Sequence, residues 1–323
     1  VRKRNYFFIV VLTASLVFFS SCSIKKMAMK QVANTLTAPG SSTVFTGDND
    51  PELVGDALPF TIKMYESLMM SLPRHAGLRL QTGSLYIMYA NAYLQTPADM
   101  LTDEEMVKEQ FLLKRAKNLY LRGRDFILEA LENKYPGFLK KLEDKKFGPA
   151  LSPMKKEDVP FLYWGAAGWL GAFALNPFDM KLGMTVPRAK AMMDRVLQLD
   201  PGFGEGSIHD FYVQYYGSMP DYMDGDFNKA REHYKMAVEA SGGKKTSPHL
   251  SLATTVAVKE QNLKEFKALL EKVLAIDPDA DPDNRLLNTI NRRKARWLLE
   301  HTENFFLEAG DDENTGNNPD NDE

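Results

Sequence analysis

Apolar residues recur at helical spacing along most of this chain. In GDFNKAREHYKMAVEASGG the set Phe227, Ala230, Tyr234, Ala237 and Val238 falls at i, i+3, i+7, i+10 and i+11, which lines one face of a helix. Asp226 stands where it can accept from the first free N–H groups, and Gly242 and Gly243 stand where a helix ends. LKEFKALLEKVLAIDP repeats the design with Leu263, Phe266, Leu269, Leu270, Val273 and Leu274, stopped by Pro278. Alternating runs of Val, Ile and Thr closed by Asn-Gly or Asp-Gly, the mark of hairpin strands, are nearly missing. The prediction from Pro51 to Phe306 is an all-α body.

The helix terminators repeat. VLQLDP ends at Pro201 and VLAIDP at Pro278, 77 residues apart, with the glycine pair between them at 41 and 36 residues. Those intervals lie near the tetratricopeptide (TPR) period of about 34 residues. The positions that a TPR fills with small, aromatic and small residues are Ala189, Met193 and Val196; then Ala230, Tyr234 and Ala237; then Phe266, Leu270 and Val273. Only the middle set matches well. The expectation is a TPR-like α-solenoid of stacked antiparallel helical hairpins, a shape that leaves a concave face for binding and room for an apolar cavity or pore.

Two stretches break the amphipathic pattern. VPFLYWGAAGWLGAFAL, from Val159 to Leu175, runs 17 residues without a charge and mixes aromatic with small residues. It reads as a buried helix whose small face admits a close neighbour, as the wall of an apolar ligand channel, or, third, as a membrane span. LRLQTGSLYIMYANAYLQTPADML sets Tyr86, Tyr89, Asn91, Tyr93 and Gln95 along an otherwise apolar helix. These are packing tyrosines bonded to backbone carbonyls, or parts of a polar site within the stack. Tyr89, Asn91, Tyr93, Trp164 and Trp169 are the candidate cavity lining. Near the C-terminus Arg285, Arg292 and Arg296 share one helical face, which is a solvated face or a partner-docking surface.

The ends differ from the body. Arg2, Lys3 and Arg4, then an uncharged run from Asn5 to Ser21, then Cys22 follow the order of a bacterial signal peptide, and the small residues before the cysteine resemble a lipobox, with Phe19 where Leu is usual. Cys22 is the sole cysteine of 323 residues, so no disulfide partner exists, and lipidation is its expected fate. Ser23 follows it, which favours the outer over the inner membrane, facing the periplasm. The expected divisions are a signal peptide at 1–21, a lipidated spacer at 22–50, the helical domain at 51–307 and an acidic disordered tail at 308–323. That tail holds seven acidic and no basic residues and too little apolar surface to offset its ordering entropy. With leader and tail set aside, the net charge of -3 becomes close to neutral for the body, which gives no reason to expect nucleic acid.

No catalytic template fits. HExxH, P-loop, G-x-S-x-G and paired-cysteine patterns are all missing. GFGEG at 202–206 has the wrong spacing for a dinucleotide and reads as a turn. DPDADPDN at 277–284 starts like a calcium loop, but Pro282 replaces the required Gly and Asn288 the bidentate Glu. The five histidines lie far apart in sequence. No enzyme activity, metal or cofactor is expected.

The stretches DPELVGDALPFTIKMYESLMMSLPRHAGLRLQTGSLYIMYANAYLQTPADML, RAKNLYLRGRDFILEALENKYPGF, DVPFLYWGAAGWLGAFAL and RLLNTINRRKARWLLEH together resemble the TatT family, the T components of TPR-associated TRAP (tripartite ATP-independent periplasmic) transporters. The resemblance runs in order over about residues 45 to 306. It implies a periplasmic lipoprotein of TPR-like fold that forms a homotrimer, associates with the P component (the solute-binding protein) and helps hand it a hydrophobic ligand through an apolar cavity or pore. The competing expectation is a TPR-like scaffold in envelope or outer-membrane assembly, holding peptides and no small ligand.

Overall fold

The computed structural model describes residues 25–307, and all regular structure among them is helical. Residues 25–36 form α1. Asp50 starts α2 (Pro51–Ser71) by accepting from Leu53 N at 3.0 Å, and Pro51 occupies the first turn, where no N–H is needed. His75 caps α3 (Ala76–Ala90) through its ring nitrogen, 3.1 Å from Leu78 N. The longest helix is α4 (Met106–Lys134), followed by the charge-free α5 (Val159–Ala174) and by α6 (Val186–Leu199). Then come α7 (Ser207–Ser218), α8 (Phe227–Ala240), α9 (Ser247–Leu252), α10 (Leu263–Ala275) and α11 (Arg285–Glu300). Asp226 caps α8 with bonds of 3.0 and 3.1 Å from Asn228 N and Lys229 N, and Gly242 and Gly243 end it at φ +57° and +72°.

Consecutive helices pack in two runs, α2 to α6 and α7 to α11, and α11 returns against α2. That closure has an apolar and a polar part. Leu286 and Ile290 of α11 enter one core with Val54 and Leu58 of α2, while Arg293 pairs with Glu52 and Arg285 donates to Gly47 O at 3.1 Å. A larger core runs from α3 to α11. Of the three residue triplets at TPR-like positions, all are fully buried except Tyr234, which is half-buried with its hydroxyl 2.8 Å from His249 Nδ1.

Residues 22–50 were expected as a lipidated spacer with a short helix, and in the described part of that stretch the helix, α1, lies docked on the body. Met29, Ala33 and Leu36 fall at i, i+4 and i+7 and pack into the core of α2 and α3, with Ala33 fully buried. Tyr65 donates to Leu36 O at 3.2 Å, and Asn34 meets His75 at 2.9 Å. The small-residue composition concealed this stripe, because one Ala and two larger residues suffice for one short contact. Cys22, the leader and the acidic tail lie outside the described residues.

Candidate functional site

The two sides of α5 have separate environments. Leu162, Gly165, Ala166, Gly168 and Trp169 are buried against α4 and α6. A Cβ on Gly168 would come within 3.0 Å of Tyr120 O, so the small residues do admit a close neighbour. A second stripe, Tyr163, Trp164, Ala167, Leu170 and Gly171, is only half-buried and holds no charge. Tyr163 sits edge-on to Trp164, with ring centroids 5.6 Å apart, and packs on Phe203 at 5.0 Å. Beside it lies Asp210 of α7, whose carboxyl is pushed up to about 6 by burial, with Ser251, Lys245 and Gln214 pulling the other way. Asp210 Oδ1 is buried without a hydrogen-bond partner among the described residues. The Tyr163 hydroxyl is raised by burial and then by Asp210.

The tyrosine-rich end of α3 builds a different place. After Ala90 the helix widens into a π-helical turn, Asn91–Gln95, a feature that proteins often keep at functional sites because it redirects side chains. Tyr89 and Tyr93 stack at 5.5 Å, and the Tyr93 ring lies so close to α2 that a Cβ on Gly55 would be 2.7 Å from it. They line a hollow of about 400 Å³ with Pro97, Met100 and Ile290, rimmed by the Glu52–Arg293 pair. The Tyr93 hydroxyl is buried without a partner among the described residues, and burial first, then Glu52 and Asp48, raises its pKa. Tyr86 differs from the expected carbonyl partner: it donates to Glu66 at 2.8 Å. Gln95 accepts from Tyr120 at 2.7 Å. Because an unpaired buried hydroxyl costs desolvation without return, Tyr93→Phe is expected to raise stability by about 1 kcal/mol in chemical denaturation. A loss of that size would mean that the hydroxyl has a partner in solution.

The five candidate lining residues therefore do not share one cavity. Tyr89 and Tyr93 share the α2–α3–α11 hollow, Asn91 is exposed beside it, and Trp164 lies on the open stripe of α5. Trp169 is buried in a third place, its indole N–H donating to Thr185 Oγ1 at 2.6 Å. Five residues along a helix turn the side chain by about 140°, so the two tryptophans cannot face one lumen.

The arginine face is largely committed within the chain. Arg285 pairs with Asp279 at 2.6 Å and Arg292 donates to Ile276 O, which leaves Arg296 exposed with no partner among the described residues. The fold does gather two histidines that the sequence keeps apart: His209 and His233 meet Nδ1 to Nδ1 at 2.9 Å, with Tyr212 stacked on His233 at 4.7 Å. Burial, then His209, depresses His233 to about 4. Among the described residues no three His, Cys, Asp or Glu side chains form a group that could hold a metal ion. In DPDADPDN, Asp277 caps Asp279 N at 3.0 Å and Asp281 accepts from Asn284 at 2.7 Å, so these carboxylates fasten turns.

Comparison with known proteins bears on the same span. The profile of the family described as TAtT, TRAP transporter T-component, matches residues 47–306. An uncharacterized protein of Treponema pallidum (strain Nichols) is 34% identical over 311 residues, covering 91% of this chain and 96% of the relative.

Proposed function

Because the chain belongs to the family of TRAP transporter T-components, we propose that it is a non-catalytic, periplasm-facing lipoprotein that docks the P component, the solute-binding protein, and helps deliver a hydrophobic small solute to it. The observation that carries the solute reading is the open stripe of α5. Four side chains, Tyr163, Trp164, Ala167 and Leu170, stay only half-buried within the fold on a helix without a charge, a surface suited to an apolar guest. Holding that guest near the P component raises its effective concentration there, which is work that binding alone can do.

Further parts of the reading have separate support. The triplets on α6, α8 and α10, buried except for Tyr234, favour a TPR-like stack. Leu53, Phe60 and Met64 share one outward face of α2, and Phe60 is 74% exposed, which favours burial of this face in a homotrimer. Cys22 is the proposed lipid anchor, with the outer membrane as address. Since α1 begins at residue 25 and is docked from Met29 onward, the anchor holds the body close to the lipid surface.

Sedimentation velocity of the mature chain, alone and with the P component, tests the reading. A trimer that shifts to a larger complex supports it; a monomer that ignores the P component overturns it in favour of the envelope scaffold. Trp164→Ala and Ala167→Arg are expected to weaken solute retention by at least about tenfold, or 1.4 kcal/mol, with P-component binding intact. Unchanged retention in both removes α5 from the path.

A further inference from the structure

We propose that the hollow beside Trp169 binds the carboxylate of an apolar monocarboxylic acid, which narrows the hydrophobic solute to an amphipathic anion; the inference rests on the solute-handling reading above. The hollow measures about 390 Å³ and lies between α4, the segment after it, and the start of α6. Its ionic lining is lopsided: Arg124, Lys140 and Arg188 against Glu143. Leu128, Leu139, Leu142 and Trp169 supply the apolar wall.

The charges are not all satisfied by the chain. Lys140 is shared between Glu143 at 3.5 Å and Asp144 at 2.9 Å, and Arg124 bonds its exposed neighbour Asp125. The Arg188 guanidinium has no hydrogen bond or ion pair among the described residues, while the backbone N–H of this residue donates to Thr185 O at 3.0 Å. Yet two guanidinium groups stand over one indole, Arg124 at 4.9 Å and Arg188 at 5.9 Å from the ring centroid. Attraction to the ring face accounts for their position, but two cations at one ring repel each other, and an anion between them relieves that repulsion. A guanidinium presents paired donors that match a carboxylate.

The floor is fixed in advance. Thr185 Oγ1 accepts from Trp169 and donates to Leu182 O at 2.6 Å. That hydroxyl would otherwise cap α6, whose first turn has no side-chain cap. The positive end of a helix of 14 residues is thus left beside the hollow, and it adds to the preference for an anion. A bare phosphate or sulfate would leave the leucine wall unused, whereas a carboxylate with a short alkyl or aryl body uses both halves.

The test is calorimetric titration of the mature chain, with Cys22→Ala to remove the lipid, using octanoate, 1-octanol and acetate. Octanoate is expected to saturate one site per chain, with octanol and acetate at least about tenfold weaker. Arg188→Gln is the informative variant, since Arg188 holds no other element in place. It should weaken octanoate at least about tenfold without altering octanol binding or the P-component complex. Leu139→Ala should weaken octanoate and leave acetate alone. Octanol binding as tightly as octanoate overturns the proposal, as does no octanoate binding at all. If octanoate binding survives Arg188→Gln but falls in Trp164→Ala, the solute path runs along α5: the proposed function then stands and this site does not.

Discussion

Asp210→Asn is expected to stabilise this protein by about 2 to 3 kcal/mol at pH 7.5 and to leave its stability at pH 3 nearly unchanged. The carboxyl has an ordinary value of 3.8 and burial pushes it up to about 6. The folded state therefore keeps its proton over a range in which the unfolded chain has lost it. Below 3.8 both states are protonated and the group costs nothing. Between 3.8 and about 6 only the unfolded state gives up the proton, so stability falls as pH rises, and above 6 the penalty is constant. Asn keeps the size and removes the charge, so the variant should lose that decline. Urea denaturation at several pH values reads it directly. A variant whose pH profile matches that of the parent would mean that Asp210 is solvated, and the side of α5 it faces is then wet.

The same residue shows where sequence reading reaches its limit. Asp210 stands in a helix whose neighbours are aromatic, but nothing local says that Tyr163, 47 positions earlier, lies against it. The elements themselves were legible wherever a period and two caps coincide, as in α8 and α10, because those signals are local. The docking of α1 was hidden by its composition, and the closure of α11 on α2 by distance along the chain. Glu52 and Arg293 lie 241 residues apart. Of the candidate site, the aromatic residues were visible and their grouping was not. Helical phase alone separates Trp164 from Trp169, and the π-helical turn that sets Tyr93 over Gly55 has no residue signature of its own. His209 and His233 meet for the same non-local reason.

Gly123→Ala is expected to destabilise the fold by about 3 kcal/mol or more, against the usual sign for a helix interior. Glycine in the middle of a helix is worth roughly 1 kcal/mol less than alanine, so the substitution should help unless the new methyl meets something rigid. Here it does. A Cβ on Gly123 would lie 2.6 Å from Gly83 O of α3 and 2.9 Å from Ile87 Cγ1, and a Cβ on Gly83 would lie 2.6 Å from Gly123 O. Both closest oxygens belong to backbone, which can yield only by moving a whole helix. Neither helix is free to move, since α5 packs against both through Gly168 and Ile87. Overpacking of this kind costs about 1 to 3 kcal/mol and more where the neighbour is rigid. Gly148→Ala is the control: it lies in the short helix Phe147–Leu151 with nothing within 4 Å of the added carbon, and it should gain about 0.5 kcal/mol. Chemical denaturation of the two variants separates crossing geometry from helix propensity. If Gly123→Ala matched Gly148→Ala, α3 and α4 would have to lie farther apart than this packing allows, and the α3 end that carries Tyr89 and Tyr93 would move with them.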